Sequence, residues 1–261
     1  MNADGRFKLV RAQVLKTGHL KRVASGQIAG VIIPSILKAS NCETITSALR
    51  TLPTGLYDVD RVHPPIARFG PALNDHRTED GVDPMYWSLA ESARTAWLNA
   101  GLSSGPLTAA LAALHSSWHQ RTEIATISDR PAYAGVIREI NAGTLIHNDC
   151  IIREFPFGIL DTQISAQLAL NIYLSVGVDG GATTVWHRRW QPEDESSRIG
   201  YGHTQTVVAD APYASFNPEV GDALLFSSEH YHDVSPVSSG RRISLAFFLG
   251  LTSDDRLVVW S

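Results

Sequence analysis

The sequence is poor in the residues that build crosslinked or highly charged proteins. Its 261 residues include two cysteines, too few for a disulfide scaffold or a four-thiolate zinc site. Charged residues make up only 18% and hydrophobic residues 44%, a balance that excludes a disordered chain. The formal net charge of −4 argues against nucleic acid or an anionic membrane as the partner.

Long apolar segments are also missing. The longest, residues 28–37, is interrupted by Pro34 and Ser35, so it does not predict a membrane-spanning helix. The first residues contain no apolar run of the signal-peptide type, and we therefore expect a cytoplasmic protein. The sequence leaves the oligomeric state open.

The two parts of the chain differ in pattern. Within residues 1–122, apolar residues recur at helical spacing over 84–100 and 107–118, and residues 52–81 form a Pro-, Gly- and Asp-rich segment of lid-like length. Within residues 123–261, short apolar runs alternate with turn residues, which is typical of a β-sandwich or barrel. No linker or repeat divides the chain, so we expect one mainly β domain of α+β class with supporting N-terminal helices. The runs predicted as strands are residues 134–140, 144–152, 167–176, 182–190, 204–209, 222–228, 242–251 and 256–260.

The first candidate motif is His-Asn-Asp at residues 147–149. Alternate residues of a strand share a face, so His147 and Asp149 would point the same way and reach one metal ion. Cys150 would point away and is therefore a poor candidate ligand. By itself, a His-x-Asp pair is a weak signal.

The second motif spans residues 230–244. A strand carries His230 and His232, a Pro- and Gly-containing turn follows, and a returning strand presents Arg242 and Ser244 on one face. Either histidine could complete a site of two histidines and one carboxylate, which leaves three positions of an octahedral iron open. A guanidinium on the adjacent strand suits a carboxylate, because it can bind it through two hydrogen bonds and stays charged.

Together the motifs resemble the Fe(II)/2-oxoglutarate-dependent oxygenase superfamily, and more loosely its small-molecule-tailoring members. The resemblance rests on H-x-D at residues 147–149 and on H-x-V-x-P-V-x-x-G-x-R-x-S at residues 232–244, and it covers about residues 130–250. It implies a double-stranded β-helix (jelly-roll) barrel in residues 123–261. It also implies Fe(II) bound by His147, Asp149 and His232, with 2-oxoglutarate and O2 as cosubstrates.

The resemblance assigns further residues to the cosubstrate. Arg242 would bind the distal carboxylate of 2-oxoglutarate, with Ser244 assisting. The spacing to the arginine favours His232 over His230 as the ligand. Asn171 and Tyr173 share a strand face that would turn towards the cosubstrate, although both could equally be polar groups of the core.

The expected reaction is C–H hydroxylation of a small molecule, an amino-acid-derived or secondary metabolite, coupled to oxidative decarboxylation of 2-oxoglutarate. In halogenating relatives a small residue replaces the carboxylate and chloride takes its place, so Asp149 favours hydroxylation. Desaturation, cyclisation and oxidation of a protein side chain stay open. The competing class is a non-enzymatic, cupin-like barrel that binds a metal or ligand and needs neither Arg242 nor Ser244.

The substrate itself is not identified by the sequence. Phe157, Trp186 and Arg153 lie close in sequence to the metal-binding strands, so they are candidates for the mouth of the pocket. Their alternative roles are core aromatic residues and a solvated charge.

Overall fold

A computed structural model of the chain has a large β-sheet, a smaller sheet of three strands and several helices. The described residues are 7–79, 81–102, 106–118, 122–254 and 256–261. The α-helices are α1 (Thr17–Ala24), α2 (Ala39–Ala48), α3 (Met85–Asn99), α4 (Pro106–Ser117) and α5 (Ile151–Glu154), and 3-10 helices span Leu73–His76, Pro192–Ser197 and Gln205–Val208. The β-strands are β1 (Leu9–Arg11), β2 (Gly30–Ile33), β3 (Gly55–Leu56), β4 (Ala67–Phe69), β5 (Arg77–Thr78), β6 (Gly81–Val82), β7 (Thr122–Ile124), β8 (Thr126–Ile127), β9 (Arg130–Pro131), β10 (Val136–Glu139), β11 (Ala166–Ser175), β12 (Thr183–Arg189), β13 (Arg198–Ile199), β14 (Gly202–His203), β15 (Tyr213–Phe216), β16 (Ala223–Phe226), β17 (His230–Val234), β18 (Ile243–Leu251) and β19 (Leu257–Trp260).

The large sheet has the strand order β1-β2-β16-β11-β18-β10-β4-β3, and β19 joins β18 to β7. Its centre is the long antiparallel pair of β11 and β18, in which Ala166 lies opposite Leu251 and Tyr173 opposite Ser244. Strands from the N-terminal part of the chain form both ends of this order. The predicted N-terminal support therefore contributes strands as well as helices.

The central strand β11 is covered on both faces. Leu168, Leu170 and alternate residues beyond them join the main hydrophobic cluster, which contains buried residues of the helices α1 to α4. The opposite face carries Tyr173, which packs with Val185 and Phe216 of the smaller sheet. Because successive side chains of a strand point to opposite faces, this strand places one row in the core and one row between the sheets.

The smaller sheet has the order β15-β12-β17. Val185 of β12 lies opposite His232 of β17. Their neighbours Trp186 and Tyr231 belong to a separate hydrophobic cluster with Val207. This alternation turns His232 towards the large sheet and Trp186 away from it.

Several predicted elements form at the expected places. The helical patterns over 84–100 and 107–118 correspond to α3 and α4, and six of the eight predicted strands contain a strand. Among the described residues, no helix is long and apolar enough to span a membrane.

Two predicted strands do not form. Residues 144–152 contain only isolated bridges at Ile146 and His147, followed by the short helix α5. Residues 204–209 contain the 3-10 helix Gln205–Val208. This turn buries Val207 and Val208 in one cluster, whereas a strand would direct the two adjacent valines to opposite faces.

Candidate active site

The structure brings His147, Asp149 and His232 to one point. One ligand atom from each lies within 4.8 Å of the others, and no other such group occurs in the part of the chain that the structure describes. The Asp149 Oδ2 atom is 3.6 Å from Nε2 of His232 and 4.0 Å from Nε2 of His147. This set has the composition of a facial iron site.

Backbone hydrogen bonds fix these three residues. The amide of His147 donates to the carbonyl of His232 (3.0 Å), and the amide of His232 donates back to His147 (2.8 Å). The amide of Asp149 donates to the carbonyl of Ser228 (2.8 Å). The His-x-Asp pair is thus placed by pairing with β17 and its preceding turn, although its own segment is not a regular strand.

Both histidines are oriented by a backbone carbonyl. Nδ1 of His147 donates to the carbonyl of Leu145 (2.8 Å), and Nδ1 of His232 donates to the carbonyl of His230 (2.9 Å). A carbonyl oxygen only accepts, so each Nδ1 carries the proton and each Nε2 keeps its lone pair. Metal-binding histidines in proteins are commonly oriented in this way.

The protonation states suit a metal. Burial, reinforced by the neighbouring His232, lowers the pKa of His147 to about 4. Burial alone would raise the pKa of Asp149, but its electrostatic interactions with His232, His147 and Arg138 outweigh burial and lower that pKa to about 2. At neutral pH, His147 is therefore neutral and Asp149 is ionised, as metal ligands must be.

The structure distinguishes His232 from the two other candidate ligands, His230 and Cys150. His230 lies outside the metal-binding group, with its ring 5.6 Å from that of Phe7 and 5.7 Å from that of His187. Burial lowers the pKa of His230 to about 3. Cys150 also lies outside the group and is a free thiol.

A cavity of about 110 Å³, the inner cavity, opens at these three side chains. Asn171 of β11 and Thr183 of β12 line it, together with Arg138 of β10. Asn171 therefore faces the cavity. Tyr173 lies deeper, fully buried, with its hydroxyl 3.0 Å from Oγ1 of Thr183.

Arg242 is a buried cation at the far side of Thr183. It is 1% exposed, its Nη2 donates to Oγ1 of Thr183 (3.0 Å), and its Nε donates to the carbonyl of Gly181 (2.9 Å). Its guanidinium lies over the ring of Tyr173, 5.2 Å from the centroid. Its Nη1 has no hydrogen-bond partner, and no carboxylate of the described residues forms an ion pair with it.

An uncompensated buried guanidinium costs free energy, so this site is complementary to an added carboxylate. Burial lowers the pKa of Arg242, and the neighbouring Tyr173 opposes that shift. Ser244 is buried and pairs with Tyr173 on one side and Arg138 on the other. The residues predicted for 2-oxoglutarate are thus near neighbours.

A second cavity, the outer cavity, has a volume of about 430 Å³ and shares five residues with the inner one, which are Arg61, Asn74, His147, Asp149 and Tyr201. Arg153 lines it, with its guanidinium 3.6 Å from the ring centroid of Trp190. The structure therefore places Arg153 at the entrance to the metal-binding group.

Phe157 and Trp186 do not line either cavity. Phe157 follows α5 and is fully exposed to solvent, at 101%. Trp186 is buried on the other face of β12, next to Tyr231. The expectation that they contact substrate is corrected: closeness in sequence to a metal-binding strand does not determine which face a side chain occupies.

Sequence reasoning missed other cavity residues. The Tyr201 hydroxyl accepts a hydrogen bond from the amide of Leu145 (2.9 Å), so it supports the turn that orients His147. Nε of Arg138 donates to the hydroxyl of Tyr57 (2.6 Å). Arg138 could have been found from the sequence, because it is a charged residue inside the apolar run 134–140. Tyr57 and Tyr201 lie in irregular segments, where no sequence pattern marks them.

Known proteins resemble this chain in sequence and in fold. Residues 12–261 match the family described as carrier-protein-independent halogenase WelO5. The chain is 45% identical over 258 residues to L-gamma-glutamyl-L-propargylglycine hydroxylase of Streptantibioticus cattleyicolor, covering 98% of this chain and 96% of that protein.

Two solved structures share the fold. One is an N-substituted L-amino acid dioxygenase from Burkholderia ambifaria AMMD in complex with alpha-KG (TM-score 0.61, 13% identity, 94% of this chain and 90% of that chain). The other is HygX from Streptomyces hygroscopicus with nickel and 2-oxoglutarate bound (TM-score 0.51, 16% identity, 95% and 96%). The chain therefore belongs to the WelO5 halogenase family, within the Fe(II)- and 2-oxoglutarate-dependent oxygenases.

Proposed function

We propose that this protein is a hydroxylase that inserts one oxygen atom of O2 into a C–H bond of an amino-acid-derived small molecule. The observation that carries the proposal is the Asp149 carboxylate beside His147 and His232. A carboxylate in this position occupies the place that chloride takes in halogenating relatives. Although the family is named for halogenation, the ligand set of this chain favours hydroxylation.

The residues fit the metal and the cosubstrate. His147, Asp149 and His232 would hold Fe(II), and Nη1 of Arg242 is free to bind the distal carboxylate of 2-oxoglutarate. Bound iron with 2-oxoglutarate and O2 supplies the oxidation that forms the alcohol, succinate and CO2. The chain's own part is to orient both histidines through backbone carbonyls and to keep Arg242 buried from solvent.

We also propose that the two sheets form one double-stranded β-helix barrel, and that residues 1–261 form a single oxygenase domain. Both sheets contribute side chains to the cluster of Tyr173, Val185 and Phe216, which supports the barrel. The main hydrophobic cluster contains residues from Leu15 to Trp260, which supports the single domain.

The proposed substrate is a γ-glutamyl dipeptide or a similar amino-acid derivative, because the hydroxylase that is 45% identical is named for one. A non-enzymatic cupin-like role is disfavoured, since it gives no reason for a buried Arg242 without an acidic partner. A cytoplasmic location is supported by the two free cysteines. The lack of nucleic-acid and membrane partners stays a prediction.

Mass spectrometry tests the proposal. The protein would be incubated with Fe(II), 2-oxoglutarate, ascorbate and chloride, and with L-γ-glutamyl-L-propargylglycine, related γ-glutamyl dipeptides and free amino acids in turn. We expect a product that gains one oxygen atom, formed together with succinate. A chlorinated product, a product that lacks two hydrogens, or no succinate with any substrate would contradict hydroxylation.

A further inference from the structure

The outer cavity carries more positive charge than its own residues neutralise. Four arginines line it, Arg61, Arg77, Arg153 and Arg198, against the carboxylates of Asp149 and Glu154. Asp149 belongs to the metal-binding group, so a bound metal ion would neutralise its charge. The remaining charge of this cavity favours a ligand with carboxylate groups.

The acidic residues around the cavity do not remove this excess. Asp75 is shared by Arg61 and Arg68, so one carboxylate serves two guanidinium groups. Glu195 is likewise shared by Arg153 (3.3 Å) and Arg198 (2.6 Å). Each of these two clusters therefore keeps one uncompensated positive charge.

Arg77 has no acidic partner among the described residues. It lies on the β5–β6 hairpin, and its Nη1 donates to the backbone carbonyl of Glu154 (3.0 Å). This bond joins the hairpin to the end of α5 across the edge of the cavity. No described residue accepts a hydrogen bond from the rest of the Arg77 guanidinium.

Glu154 is the acidic group of the outer cavity that could bind a cationic part of the ligand. Its carboxylate lines the same cavity, and none of the described lysine, arginine or histidine side chains forms an ion pair with it. Burial and the charge of Asp149 raise the pKa of Glu154 to about 7. A carboxylate held in this way gains from a cation that enters with the ligand.

We propose that Glu154 binds the α-ammonium group of the substrate and that Arg61 and Arg77 bind its carboxylates. The inference rests on the proposed function and narrows its substrate class to amino-acid derivatives with more carboxylate than ammonium groups. Glu154 and Arg77 then determine specificity, since they contact the substrate without contacting iron or 2-oxoglutarate.

Anaerobic binding measures this directly. The protein with Fe(II) and 2-oxoglutarate should show a visible charge-transfer band, and substrate binding is followed from the shift of that band. The two probes are L-γ-glutamyl-L-propargylglycine and its N-acetyl derivative, which lacks the ammonium group. The wild type should bind the first probe about 10- to 100-fold more tightly, as expected for a hydrogen-bonded charge pair.

In Glu154→Gln this preference should disappear, whereas Glu154→Asp should keep part of it. Arg77→Gln should weaken both probes by about tenfold or more. Matched controls are Glu193→Gln and Arg256→Gln, whose side chains do not line the cavity. The band itself and the affinity for 2-oxoglutarate should stay unchanged in all variants.

The outcomes separate the two proposals. If no band forms in the wild type, the proposed function fails. If the band forms but the wild type does not prefer the ammonium-bearing probe, or Glu154→Gln keeps the preference, the assignment of Glu154 is overturned. If Arg77→Gln binds both probes like the wild type, the assignment of Arg77 is overturned.

Discussion

The inner and outer cavities meet at His147 and Asp149 but are lined by different kinds of secondary structure. Strands β10, β11, β12 and β17 contribute Arg138, Asn171, Thr183 and His232 to the inner cavity. The outer cavity is lined mainly by charged residues of short elements and irregular segments, such as Arg77 and Glu154. Ladder hydrogen bonds fix the strand residues of the inner cavity, whereas Arg153 and Arg198 of the outer cavity share Glu195 as an ion-pair partner.

On the assignments proposed above, this difference separates reaction from recognition. Long paired strands hold side chains in constant positions, which suits a metal and a cosubstrate that are the same in every turnover. Loops and short helices tolerate sequence change, so they can adapt to one substrate without disturbing the strands. Substitutions in the inner cavity should therefore abolish chemistry, and substitutions in the outer cavity should change only which substrate binds.

Removal of the carboxylate ligand should have the largest effect. Asp149→Ala should lower succinate formation by at least about 100-fold, because the loss of a ligand weakens both metal affinity and activity. Metal content and succinate are measured on the same sample. Asp254→Asn, an exposed surface change, is the control. Near-normal turnover and metal content in Asp149→Ala would reject Asp149 as a metal ligand.

The next largest effect is expected at Arg242. Arg242→Ala should raise the 2-oxoglutarate concentration needed for half-maximal rate by about 10- to 100-fold, while iron binding is kept. The adjacent Arg241 is a matched control, since its side chain is 44% exposed and pairs with Glu139 (2.6 Å). An equal effect of Arg241→Ala, or none of Arg242→Ala, would reject the carboxylate role of Arg242.

A smaller effect should follow from Tyr201→Phe at the boundary of the cavities. The amide of Leu145 loses its hydrogen-bond acceptor, which should lower the free energy of unfolding by about 1 kcal/mol. The turn before His147 should become less rigid, so kcat should fall more than the affinity for 2-oxoglutarate. Denaturant unfolding and steady-state kinetics measure the two changes. An unchanged stability and kcat would remove Tyr201 from the support of His147.

The smallest effect at neutral pH is expected at His230, whose role concerns stability in acid. Burial lowers the pKa of His230 from 6.5 to about 3, so the folded state keeps it neutral while the unfolded state binds a proton. Its contribution to stability is therefore full above pH 6.5 and is lost as the pH falls towards 3. His230→Gln should flatten the loss of stability over this range. An unchanged pH profile of unfolding would contradict the neutral, buried state of His230.

The sequence predicted part of the inner cavity, because the period of a strand is local. Alternation alone paired Asn171 with Tyr173 and Arg242 with Ser244, and the structure places all four near the cavity or the arginine behind it. The bridge between His147 and His232 then brings the two motifs together.

The outer cavity could not be predicted in the same way. Arg77, Glu154 and Tyr201 come from segments whose path is set by tertiary contacts, so no local period marks them. The prediction for Trp186 was wrong for a related reason. The face of β12 that turns inward depends on the pairing of β12 with β17.

The most direct test of the central claim is an anaerobic titration of the protein with Fe(II) and 2-oxoglutarate. The account predicts a weak metal-to-ligand charge-transfer band in the visible for the wild type, and none for the His147→Ala/Asp149→Ala double variant. Absence of the band in the wild type, or its persistence in the double variant, would contradict the assignment of iron and cosubstrate to the inner cavity.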